Sequence, residues 1–213
     1  MQVIFDLDGT LLETERYALV SARRTAQELG CDAPSRTQLR AAIGLPLPQY
    51  LAALFPGADI ECLTPVYLKL ENTELRRHAS LFPGVVDLLH QLKADGISTA
   101  ICSNGQLPYV EQVIELTGIR RLIDRPTSAR GFPSKAEALA LLVDLDPKSI
   151  MVGDTGIDIE AALANDIPSV ACLYGYGDPA ELAAATCLAR TPAEVLPAVR
   201  QCLPIAWVSD PAR

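Results

Sequence analysis

The 213-residue chain is long enough for one sizeable core carrying an insertion, and its 49% hydrophobic, 21% charged composition is that of an ordinary globular protein, not a disordered or fibrous one. A formal net charge of −8 repels polyanions, so neither nucleic acid nor an anionic membrane surface is an expected partner. An acidic protein that handles an anionic substrate must offset that field locally, with a bound cation, a lysine or aimed backbone N–H groups.

Taken in chain order, residues 2–7 read as a short apolar strand that runs into the turn signal Asp8-Gly9-Thr10. Residues 15–80 are rich in helix formers and poor in β-branched runs, too long a stretch for one crossover. They are expected to form a separate helical insert, with loops at Gly44-Leu45-Pro46-Leu47-Pro48 and Phe55-Pro56-Gly57. Phe82-Pro83-Gly84 returns the chain, after which strands over 97–102, 149–152 and 169–174 alternate with helices over 85–93, 110–116, 136–143 and 157–164. Continuous apolar strands separated by helices predict an α/β fold, a parallel sheet with helices on both faces. The last dozen residues, through Trp207 and Pro211, show no clear element and read as a tail.

Cys31, Cys62, Cys102, Cys172, Cys187 and Cys202 form neither a CxxC pair nor a regular spacing, so neither a zinc site nor a disulfide framework is expected. Reduced thiols in a cytoplasm fit this pattern. The N-terminus shows no basic region ahead of an apolar run, and nothing approaches the roughly 20 apolar residues that span a bilayer.

The polar residues gather at strand ends. The first strand ends in Asp6-Leu7-Asp8-Gly9-Thr10, the next in Ser103-Asn104-Gly105, and the run over 149–152 in Gly153-Asp154-Thr155-Gly156-Ile157-Asp158. In an open parallel sheet the carboxyl ends of the strands form the ligand crevice, so these clusters should meet in space. Asp6, Asp8, Asp154 and Asp158 converging there call for a hard cation, and oxygen donors without His or Cys favour magnesium over zinc. Magnesium also commonly coordinates substrate phosphate. Ser103 and Asn104 offer a hydroxyl and fresh backbone N–H groups to phosphate oxygens. Lys135 falls at the start of a helix, where a lysine is unfavourable unless an anion needs it.

Asp6-Leu-Asp8-Gly-Thr10 after an apolar strand, then Ser103-Asn104, Lys135 and Gly153-Asp154-x-x-x-Asp158 in that order, resembles the four motifs of the haloacid dehalogenase superfamily. The position of the insert resembles the subgroup with a helical cap, which includes phosphoglycolate-type phosphatases and β-phosphoglucomutase. The resemblance implies a Rossmann-like core over 1–14 and 81–213, closed by a cap over 15–80. It implies an aspartyl-phosphate on Asp6, with Asp8 as general acid and then base. It also implies magnesium held by Asp6, the Asp8 backbone carbonyl and Asp154, supported by Asp158. Ser103, the Asn104 backbone and Lys135 would bind the phosphate, and Thr10 would brace the first loop beside it.

The expected activity is hydrolysis of a small phosphorylated metabolite. The alternatives are a β-phosphoglucomutase-like mutase and a non-catalytic binding module, against which the intact acid pair tells. His78 and His90 read as structural, Arg23, Arg24 and Arg40 as a solvated face, and Tyr50, Leu51 and Leu54 as helix packing. The apolar, proline-rich loop near Gly44 is expected to close over an uncharged part of the substrate. Oligomeric state leaves no signature in the sequence.

Overall fold

A computed structural model describes residues 1–203; the tail expected through Trp207 and Pro211 lies outside the described residues. Six parallel strands, β1 (Gln2–Phe5), β2 (Ser98–Ser103), β3 (Arg125–Ser128), β4 (Ser149–Gly153), β5 (Ser169–Cys172) and β6 (Cys187–Ala189), form one sheet in the order β3-β2-β1-β4-β5-β6. The two-residue period of a strand sorts its side chains between two cores. Val3 and Phe5 join Ile101 and Val152 on one face, whereas Ile4 joins Ala100, Cys102 and Met151 on the other. Helices α5 (Val85–Ala94), α6 (Leu107–Leu116) and α9 (Pro192–Cys202) cover the first face, and α7 (Lys135–Leu145) and α8 (Gly156–Ala164) the second. This is the α/β arrangement with helices on both faces that the strand–helix alternation predicts.

Strands β3 and β6 and helix α9 were not legible beforehand, for a physical reason. Arg125-Pro126-Thr127-Ser128 is half-buried at one edge of the sheet, where a proline removes no needed ladder donor, and β6 is three residues at the other edge. Neither carries the continuous apolar run of a central strand. Pairing of β5 stops at Cys172, short of the expected Tyr174, because Leu173 to Tyr176 turn toward the ends of β1 and β4.

Between β1 and α5 lie four helices: α1 (Glu15–Leu29), α2 (Arg36–Ala42), α3 (Leu47–Leu54) and α4 (Ile60–His78). Ser35 and Gln38 form a reciprocal capping box on α2. Asp59 caps α4 by accepting from the N–H groups of Glu61 and Cys62, while Arg76, Arg77 and His78 complement its C-terminal dipole. The outgoing and returning chains pair with each other: Glu13 N donates to Ser80 O at 2.8 Å and Phe82 N to Leu11 O at 3.0 Å. Helix α1 lays Tyr17, Ala18, Ala22 and Ala26 against Leu63, Tyr67 and Leu75 of α4.

Two of the arginines expected on a solvated face, Arg24 and Arg40, keep 41% and 49% of their side chains exposed and also pair with acids. Arg24 pairs with Glu74, which is 2% exposed, and His78 stands 3.4 Å from the same carboxylate. Arg40 pairs with Glu15 at 2.8 Å and lies over the ring of Tyr176. Their partners sit on other helices, so spacing along the chain could not reveal them. Among the described residues no helix is long and apolar enough to cross a membrane.

Candidate active site

Asp6 follows β1 directly, its backbone N–H still bonded to Val152 O at 2.8 Å, so the sheet fixes where its carboxylate begins. The chain then turns through Gly9, whose φ of +87° is costly for any residue with a side chain. A Cβ there would stand 2.3 Å from Asp154 Oδ2, so the turn and the acid share a space that only glycine leaves open. Asp154, at the end of β4, is clamped on both oxygens: Thr10 Oγ1 donates to Oδ1 at 2.9 Å, and Tyr176 N to Oδ2 at 2.8 Å. Thr10 is itself fully buried, and its carbonyl accepts from Tyr174 OH at 3.0 Å.

Asp158 occupies the third position of α8, where its Oδ2 accepts from the backbone N–H and hydroxyl of Thr155 at 3.0 and 2.9 Å. That capping leaves Oδ1 facing the crevice. Lys135, first residue of α7, reaches between two acids, with Nζ 2.5 Å from Asp6 Oδ1 and 2.6 Å from Asp158 Oδ1, the latter a close ion pair and not an aligned hydrogen bond. The side chains of Lys135, Asp6 and Asp158 are 3%, 5% and 0% exposed.

Carboxylate oxygens of Asp6, Asp154 and Asp158 lie within 4.8 Å of one another. The ends of β1, β4 and α8 thus bring together residues separated by most of the sequence. Burial pushes the Asp6 carboxyl well above the usual carboxylate range, the neighbouring acids add to the rise, and Lys135 opposes it. Burial and Asp158 push Asp154 up to about 7, against the pull of the Tyr176 N–H and Thr10. Burial alone would lower Lys135, but Asp158 and Asp6 outweigh it and hold the ammonium above the ordinary lysine range. Asp6 Oδ2 is buried and has no hydrogen-bond partner among the described residues. Three acids, one ammonium and an orphaned oxygen in an all-oxygen donor set fit a hard divalent cation.

The side chain of Asp8 swings away from this cluster. Its Oδ1 accepts from Tyr109 OH at 2.5 Å and Thr14 Oγ1 at 2.7 Å, and Tyr17 OH stands 2.6 Å from Tyr109 OH. Burial raises the Asp8 carboxyl, and the bonds from Tyr109 and Thr14 restrain that rise. Ser103 closes β2, and its Oγ accepts from Gly105 N at 3.0 Å, which leaves the hydroxyl hydrogen for an incoming acceptor. Asn104 Nδ2 donates to Gly44 O at 2.7 Å, joining the core to the inserted helices. A Cβ on Gly44 (φ +95°) would meet Thr155 Cγ2 at 2.9 Å, so this loop sits directly on the β4–α8 turn.

Over these groups lies a cavity of about 200 Å³, floored by Asp6, Asp8 and Ser103 and walled by Tyr50, Tyr67 and Glu71. Tyr50 is therefore more than the helix packing its spacing suggested, whereas Leu51 and Leu54 are core residues. An aromatic on the inner face of a helix reads the same whether it meets core or cavity. No local pattern marks Thr14, Tyr109 and Tyr176, each of which bonds to a motif acid, or Tyr17, which reaches Asp8 through Tyr109.

The haloacid dehalogenase-like hydrolase family profile matches residues 3–172. The chain is 29% identical to the tyrosine-protein kinase PtkA of Mycobacterium tuberculosis over 182 residues, 82% of this chain but only 62% of that protein. It is 31% identical over 208 residues to a phosphoglycolate phosphatase of Synechococcus elongatus, covering 93% of this chain and 97% of that one. A haloacid dehalogenase-like hydrolase of Streptococcus pneumoniae superposes with a TM-score of 0.84 at 25% identity, over 92% of this chain and 96% of that structure. With the four motifs meeting at one crevice, the chain belongs to the haloacid dehalogenase-like hydrolase family.

Proposed function

We propose that the chain is a magnesium-dependent phosphatase that hydrolyses a small phosphate monoester through an aspartyl-phosphate on Asp6. The observation that carries this reading is the buried cluster of Asp6, Asp154 and Asp158, two of them paired with Lys135, with Asp6 Oδ2 unpartnered among the described residues. Phosphatases among the relatives of similar length support it.

Asp6, Asp154 and the Asp8 backbone carbonyl would hold magnesium, with Asp158 supporting. Bound there, the ion would supply positive charge to the phosphoryl oxygens and to the nucleophilic carboxylate. In the first step an Asp6 carboxylate oxygen attacks phosphorus, the bond to the ester oxygen breaks, and Asp8 gives its proton to the departing alcohol. In the second, Asp8 takes a proton from the attacking water, the Asp6–phosphorus bond breaks, and inorganic phosphate leaves. Splitting one hard displacement into two is the use of covalent catalysis, and each half needs charge neutralisation more than new bonds. Lys135 supplies part of that charge, while Ser103 Oγ and the Asn104 backbone N–H orient the phosphoryl oxygens.

Residues 15–80 would act as a cap over a core of 1–14 and 81–213, of which 204–213 lie outside the described residues. The Asn104–Gly44 bond supports a cap closed on the core. The six free cysteines suit a reducing cytoplasm.

The test is release of inorganic phosphate from p-nitrophenyl phosphate, expected with magnesium, lost with EDTA and regained on adding the metal back. Release indifferent to EDTA would contradict the metal's role. Interconversion of hexose phosphates without net release would favour the mutase.

A further inference from the structure

The cavity has two ends of opposite character. At the phosphate end stands Asp6, paired with Lys135 and part of the acid cluster proposed to hold a divalent ion. Away from that end, among the described residues, no lysine, arginine or histidine lines the wall; the one formally charged lining group besides Asp6 and Asp8 on the floor is Glu71. The rest of that wall combines aliphatic side chains, Ile43, Leu45, Leu47 and Leu68 among them, with phenols and the amides of Asn72 and Gln112. Tyr67 OH lies 2.8 Å from Tyr50 OH and 3.1 Å from Glu71 Oε1, and the Tyr50 and Tyr67 rings meet edge to face with centroids 5.5 Å apart. Across the cavity Tyr17 and Tyr109 form the hydroxyl pair that leads to Asp8.

This wall discriminates between leaving groups. A carboxylate or second phosphate would lose its hydration there and find no counter-charge, and desolvating an unpaired anion is strongly penalised. A hydroxyl both donates and accepts, as do phenols, and the rings of Tyr50 and Tyr109, with Leu45 and Leu47 beside them, offer apolar surface to the C–H groups of a carbon chain or ring. Burial pushes Glu71 up to about 8, with the Tyr67 hydroxyl opposing and Asp8 adding to the rise, so its carboxyl is a weak source of negative charge near neutral pH.

We propose that the alcohol released is uncharged and hydroxyl-bearing, so that the substrate is a sugar or polyol monophosphate with no second anionic group, and that Tyr50, Tyr67 and Glu71 select it. The proposal rests on the phosphatase reading of the same site. It sets this chain apart from what the names of its phosphoglycolate phosphatase relatives describe for those proteins.

The experiment uses the full chain with magnesium and compares kcat/KM for a panel of pentose, hexose and polyol monophosphates, 2-phosphoglycolate, a sugar bisphosphate and phosphocholine, with p-nitrophenyl phosphate as reference. The best uncharged hydroxylated ester is expected to exceed 2-phosphoglycolate by on the order of a hundredfold. Glu71→Lys should narrow that ratio at least about tenfold by adding a cation to the wall, whereas Glu71→Gln should preserve it. Dissociation constants for the same esters on Asp6→Asn, read by calorimetry, make the ranking independent of turnover. Should p-nitrophenyl phosphate resist hydrolysis while sugar phosphates still bind more tightly than 2-phosphoglycolate, the phosphatase reading falls and the selectivity stands. Preference for 2-phosphoglycolate, for the bisphosphate or for phosphocholine in both assays would overturn the inference.

Discussion

Tyr109 donates its hydroxyl hydrogen to Asp8 Oδ1 across 2.5 Å, although the two residues lie on different elements 101 positions apart. A group that gives a proton in one step and takes one in the next must keep both forms accessible. Burial favours the acid form of Asp8, while Tyr109 and Thr14 favour the carboxylate. Tyr109→Phe removes one restraint and lets the Asp8 pKa climb further. The base form then appears only at higher pH. The acid limb of the kcat profile should move upward in pH, and kcat near neutrality should fall by about tenfold or more, within the range of general acid–base contributions. An unshifted profile in a folded Tyr109→Phe protein would remove Tyr109 from the proton-handling group.

Lys135 is the ammonium that stands between Asp6 and Asp158, both of which are almost wholly buried. Lys135→Met leaves those carboxylates uncompensated, so in metal-free buffer the variant should lose about 3 kcal/mol or more of unfolding free energy. Magnesium should restore part of the loss. Denaturant melts with and without the metal give both quantities. Equal stability of variant and parent without metal would mean that the three acids are already neutral there.

The site also fixes how stability and metal binding vary with pH. Asp154 is raised to about 7 in the folded chain from an unfolded value of 3.8, so its stabilising contribution is fully present below the unfolded value and is lost as pH rises through about 7. A metal ion needs the ionised carboxylate, so its affinity should rise over the same interval. Hence the increase in Tm that magnesium gives should be larger near about pH 8 than near about pH 6. Differential scanning fluorimetry reads this directly, and an increment that is flat or falls with pH would contradict the assignment of Asp154 to the metal.

The acids were legible in the sequence because Asp6 and Asp154 sit at the ends of apolar strands and Asp158 in the first turn of the helix that follows, and a parallel sheet gathers strand ends whatever their separation along the chain. Asp6, Asp154 and Asp158 meet for that reason. The groups that tune them were not legible. Tyr109 follows Pro108 in the first turn of α6, Tyr176 lies in an irregular loop after β5, and Tyr50 looks like any aromatic on the buried face of a short helix. The edge strands escaped notice for the opposite cause: half-buried Arg125-Pro126-Thr127-Ser128 needs no apolar run, because only one of its sides pairs with a neighbour.

The most direct test is chemical: quench the magnesium-loaded chain in acid during turnover of p-nitrophenyl phosphate, digest it, and find by mass spectrometry which peptide has gained a phosphoryl group. The expected result is a transient, acid-stable and hydroxylamine-sensitive adduct on Asp6, absent from Asp6→Asn, which should also release no phosphate. Turnover that continues in Asp6→Asn, or a phosphoryl group carried by any other residue, would contradict nucleophilic attack by Asp6.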